Sequence, residues 1–189
     1  MPNKTPMSRF HIHDDLTAPE ESLPILKGLQ SSAGQLPNFL GVLAGSAAAL
    51  RAYVRFRGEL RRGALPAATR ERIGLAVAAS LRSAPGLAQH ERTARAAGLG
   101  LDEITAARDW TSSDEREAAI LRYLRPLAEQ HGSHPVHLHE EAREAGWSDE
   151  QLLEAIAFVS LESLTAMINV AGEVPVDGSA EDTRVLRAA

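Results

Sequence analysis

Apolar residues in this chain recur at intervals of three and four, and proline or glycine punctuates nearly every gap between the periodic stretches. Ala and Leu dominate those stretches, while β-branched residues are sparse. Such spacing places side chains on one face of a helix, whereas a half-buried strand needs strict alternation. The pattern predicts an all-α fold. Helices are expected over 23–30, from Pro37 through Leu43, and from a Ser46 cap through Leu50, Tyr53, Val54 and Leu60 until Gly63. Pro66 opens a helix to about Leu81, and the segment 83–86 is read as a break. Further helices are expected over 87–97, stopped by Gly98, and over 101–110. A Ser113 cap begins a long one through Leu127, another ends near Gly146, and the Ser148/Gln151 capping box starts the last, to about Val170.

Hydrophobic residues at 44% and charged residues at 24% suit a folded domain rather than a disordered chain. Residues 1–22 read as an extended arm, 23–177 as a single helical domain and 178–189 as a loose tail. A weak repeat at an offset of 83 maps Gly63, Glu71 and Ile73 onto Gly146, Glu154 and Ile156, as two similar helical halves would. The net charge is −5, with Lys+Arg 20 against Asp+Glu 25, and aromatics are 4%. Neither a basic face nor a base-stacking platform is expected, so nucleic acid is not an expected partner. The longest apolar run, 146–170, is interrupted by Glu150, Glu154 and Glu162, and the N-terminal residues lack a signal-peptide core. The expectation is a cytoplasmic protein without a membrane partner. Cysteine is absent, which excludes disulfides, thiolate metal sites and thiol catalysis.

Two groups of residues could carry chemistry. Glu71 and His90 lie on consecutive predicted helices, and a hairpin about the turn at 83–86 would let them meet. A carboxylate beside an imidazole fixes its tautomer and raises its basicity, as a general base or proton relay requires; the same pair could equally be a satisfied polar contact inside a helical core. The second group is His131, His134, His137 and His139 with Glu140 and Glu141. Here His137 and Glu141 share a helix face, and His134, His137 and Glu141 could ligate Zn²⁺ or Ni²⁺. A solvated His-rich turn is the other reading of that segment, and no cofactor is expected.

The stretch from Arg70 to His90 resembles the carboxymuconolactone decarboxylase / alkylhydroperoxidase D-like family, an all-helical group that commonly forms oligomers. Its peroxidase branch has a Glu, a Cys-x-x-Cys twelve residues later, and a His four beyond the second Cys. Glu71 and His90 match; the two Cys positions are Ser83 and Gly86. Further likeness lies in 34–38, in 94–99 and in 164–177, which carries Asn169 and Asp177. The resemblance implies a Glu–His relay that activates a thiol absent from this chain. A Ser hydroxyl is neither nucleophilic nor oxidisable at neutral pH, and Gly86 has no side chain. Ser83 instead suits capping of the helix that carries His90. Three functions follow: a catalytically silent or small-ligand-binding homologue; a Cys-independent decarboxylase or isomerase using Glu71 and His90, with Arg70, Arg72 or Arg82 on a substrate carboxylate; and a peroxide-related protein working through a partner's thiols. Homo-oligomerisation is expected from the resemblance.

Overall fold

The structure, a computed structural model, describes residues 8–33, 36–129 and 134–178. Among them are nine helices and no strand: α1 (Leu23–Ala33), α2 (Asn38–Leu43), α3 (Ala47–Leu60), α4 (Ala67–Ser80), α5 (Ala84–Ala96), α6 (Leu101–Arg108), α7 (Glu115–Glu129), α8 (Val136–Glu144) and α9 (Asp149–Gly172). The all-α expectation therefore holds across the described residues. Several boundaries shift by one to three residues, α1 running on to Ala33 and α6 stopping at Arg108, and two of the shifts have visible local causes. Asp114, not Ser113, caps α7 by accepting from Glu117 N at 3.1 Å, while Ser113 turns to Glu103. The break expected over 83–86 shrinks to a turn, because Ser83 caps α5 and lets Pro85 and Gly86 occupy its first turn. At α9 the capping box forms as expected: Ser148 N donates to Gln151 Oε1 and Gln151 N to Ser148 Oγ, both at 3.2 Å.

Contacts divide the described chain into two compact units. One comprises the residues up to Arg57 together with those from Met167 onward; the other is Gly58–Ala166. In the first unit Leu26, Leu50 and Ala44 are fully buried, and Phe39 packs edge-on against Tyr53 at 5.0 Å. Asn38 joins distant parts of the chain there, donating its backbone N–H to Asp177 Oδ1 at 2.8 Å and its side-chain amide to the Pro175 carbonyl at 3.3 Å.

The second unit is built on α4. Buried residues occur all around this helix, including Thr69, Ile73, Leu75, Ala76, Val77 and Ala78. A helix apolar on every side must be enclosed by neighbours. Leu75 joins Ala94 of α5 and Ile104 and Ala107 of α6 in one apolar cluster. Glu154 of α9 closes the turn before α4, accepting from Ala64 N at 2.9 Å and Leu65 N at 2.7 Å. By length and hydropathy α9 is the one helix among the described residues that could cross a membrane, but half of its apolar window is buried in the protein. Its inward face also carries a carboxylate, Glu162.

Candidate functional site

The α4–α5 hairpin turns tightly. Arg82 takes a left-handed backbone conformation (φ 56°), its N–H reaches the Ala79 carbonyl, and Ser83 N reaches Ala78 at 2.8 Å. This closes α4 in the manner of a Schellman motif. Ser83 then accepts from Gly86 N at 3.2 Å and α5 begins at once. The short turn lays α5 against α4 and brings His90 to Glu71. His90 Nδ1 lies 2.9 Å from Glu71 Oε2, and the imidazole is almost wholly buried. Gly74, three residues beyond Glu71, leaves room for the ring: a β-carbon there would sit 2.2 Å from His90 Cε1.

The opposite ring nitrogen is also occupied. His90 Nε2 lies 3.0 Å from Glu162 Oε2 on α9, and Thr93, one turn along α5, donates a hydrogen bond to Glu71 Oε2. Burial alone would lower the His90 pKa, but two carboxylates outweigh it, the charge of Glu162 first, and hold the imidazolium at about 10. Burial likewise acts to raise Glu71, yet the hydrogen bond and charge of His90, with help from Thr93 and Arg70, bring it below the ordinary carboxylate value. At neutral pH the site is an imidazolium donating from both nitrogens to two carboxylates. Such a group cannot accept a proton without first releasing one. It is a lock rather than a poised base.

Sequence reasoning placed Glu71 and His90 but read Glu162 only as a charge interrupting an apolar run. A signal was present. Glu162 lies four residues after Phe158, three after Val159 and four before Ala166, all buried, so a carboxylate there must find a buried partner. The arginines considered for a substrate carboxylate are turned elsewhere. Arg70 donates to the Leu65 carbonyl at 2.9 Å, and Arg72 to Glu103 at 2.8 Å with Glu117 at 3.7 Å. Arg82 is exposed at the hairpin turn. Neither the cavity beside Tyr123 and His139 nor the one beside Arg116 and Arg122 is lined by Glu71, His90 or Glu162.

The His-rich segment, open to reading as a metal set or a solvated turn, sends its side chains to separate partners. His131 lies outside the described residues. His134 Nε2 is hydrogen-bonded to the Tyr123 carbonyl at 2.7 Å, and Glu141 pairs with Arg122 at 3.5 Å. No three His, Asp or Glu side chains are placed together as metal ligands among the described residues, His134, His137 and Glu141 included. The i, i+4 spacing put His137 and Glu141 on one helix face; the hydrogen bond to α7 and the ion pair with Arg122 direct His134 and Glu141 to separate partners.

Residues 47–130, which include Glu71, Ser83, Gly86 and His90, match the sequence profile of the carboxymuconolactone decarboxylase family. Over this segment the chain is similar to that family. No curated protein sequence matches it. Among solved structures, a peroxidase-related protein of Ralstonia eutropha with an alkylhydroperoxidase AhpD core is 19% identical, with a TM-score of 0.78, covering 92% of this chain and 94% of its own. A peroxidase-related protein of a Silicibacter species is 16% identical at a TM-score of 0.79, covering 94% and 96%. A cysteine-to-alanine variant of a debrominase in complex with 2,3,4-tribromopyrrole is 16% identical at 0.70, covering 89% and 91%. At such identities the likeness establishes the fold, alkylhydroperoxidase D-like and all-α.

Proposed function

We propose that this chain has no thiol peroxidase activity and that Glu71, His90 and Glu162 form a structural ion lock in a catalytically silent, small-ligand-binding homologue. The observation that carries the reading is the double engagement of His90, at 2.9 Å and 3.0 Å from two carboxylates. Thiol activation needs an imidazole free to take a proton and a thiol to supply it. The chain has no cysteine, and the imidazole is already protonated. An acid–base role on a carboxylated substrate would also need a nearby cation, whereas Arg70 and Arg72 are spent on protein partners.

The direct test is consumption of tert-butyl hydroperoxide with dithiothreitol as reductant. The wild-type protein should not exceed the uncatalysed rate; saturable consumption would overturn the proposal. A restoration series separates the two causes of silence. A β-carbon at position 86 would lie 3.4 Å from Ser83 Cβ, just under ordinary disulfide spacing, and 3.1 Å from Ala78 Cβ, so Ser83→Cys with Gly86→Cys can supply a pair once the turn gives by a few tenths of an ångström. That double variant should stay nearly inactive until Glu162→Gln is added to unlock His90. Full turnover by the double variant alone would show that the carboxylate contacts do not silence the site.

A further inference from the structure

A cavity of about 380 Å³ lies away from the His90 site, lined by Tyr123 of α7, His139 of α8, and Asp149, Leu152, Leu153 and Ile156 of α9. Its size is within the range of small-molecule sites. The three aliphatic side chains give it an apolar wall, and Leu153 is 68% exposed although nothing about its helix requires an apolar residue at the surface. The His-rich segment, which holds no metal set, has its structural role here. His134 meets the Tyr123 ring edge-on at 4.6 Å, and His139 lies tilted against it at 5.8 Å.

Tyr123 is only 7% exposed, yet its hydroxyl makes no hydrogen bond to any described residue. A hydroxyl on a cavity wall with no protein partner is available to a ligand acceptor that displaces its water. Burial raises the Tyr123 pKa, so the hydroxyl remains a donor at neutral pH. Asp149 is held ionised, chiefly by a hydrogen bond from Arg143 and by its charge, with His139 adding to the effect. Arg143 balances the carboxylate, so the cavity offers one free donor, one acceptor and an apolar wall, without a net charge to attract an ion.

We propose that this cavity is a binding site for a small uncharged aromatic carbonyl compound, whose ring lies on Leu152, Leu153 and Ile156 and whose carbonyl accepts from the Tyr123 hydroxyl. The test uses benzamide as the probe, followed by amide and side-chain NMR of the full chain. Benzamide should shift the signals of the lining residues saturably, and benzoate and benzylamine should bind more weakly. Tyr123→Phe should weaken benzamide about 3–10-fold, the loss of one hydrogen bond, while leaving toluene unaffected. Leu153→Lys, a change at an exposed position, should abolish both with the fold retained by circular dichroism. No saturable shift, shifts confined to other residues, or equal benzamide affinity in Tyr123→Phe would each overturn the proposal. Shifts of the lining residues on simple dilution of the protein would assign the groove to contact between copies, and would overturn it as well.

Discussion

Gly74 presents no side chain toward α5, and the His90 imidazole occupies that space, with a would-be β-carbon 2.4 Å from Nδ1. Two effects compete in Gly74→Ala. Alanine is the better helix former by about 1 kcal/mol, but the ring cannot retreat because carboxylates hold both of its nitrogens. Overpacking at such a site costs about 1–3 kcal/mol, and displacing the ring also breaks an ion contact, so the clash should win. Gly58, on α3, is the control, since nothing lies within 4 Å of its would-be β-carbon. Urea denaturation should show Gly74→Ala destabilised by about 1–3 kcal/mol and Gly58→Ala unchanged or stabilised by up to about 1 kcal/mol. Equal effects at the two positions would rule out His90 as the cause. The spacing of Glu71 and His90 was legible in the sequence because a hairpin is a local event. Gly74 was not, because a glycine inside a helix says nothing about which neighbour fills the space.

Helix ends show how far local signals reach. Gly98 and Gly146 take φ of +90° and +91°, and both were readable as stops. Arg82, Trp110 and Glu173 take the same left-handed conformation at the ends of α4, α6 and α9, yet only glycine advertises it in a sequence. Arg82 therefore drew attention as a substrate-binding candidate when its backbone has a clearer role: it stops α4 one residue before the Ser83 cap of α5. Left-handed geometry costs a non-glycine residue about 1–2 kcal/mol, and glycine gives back about 0.5–1 kcal/mol in chain entropy. Arg82→Gly should thus raise stability by up to about 1 kcal/mol, read as a higher urea midpoint at unchanged slope. A lower midpoint would mean that the guanidinium itself makes a contact worth more than the strain.

Across the whole chain, the least legible contacts were those between distant segments. The likeness at 34–38 and at 164–177 was visible as two separate stretches, and Gly34 and Gln35 lie outside the described residues. Their meeting through Asn38, Pro175 and Asp177 spans nearly 140 residues and leaves no periodic trace. Glu162 belongs to the same class, 72 residues from His90. That contact sets the pH response of the molecule. The folded His90 holds its proton up to about 10, against 6.5 for an unperturbed imidazole. Between those values the native state binds a proton that the unfolded chain has released, so stability should be full below about pH 6.5 and fall as pH rises, by up to about 1.4 kcal/mol per unit. On the acid side Glu71, which is lowered, and Glu117, which burial raises, act in opposite senses, so the alkaline limb is the cleaner measurement. Urea midpoints at pH 6.5, 8 and 9.5 should decline in order, with a shallower decline in Glu162→Gln, where one of the two charges that hold the proton is gone. A midpoint independent of pH across that range would mean that His90 is neutral in the folded protein and that the ion lock does not exist.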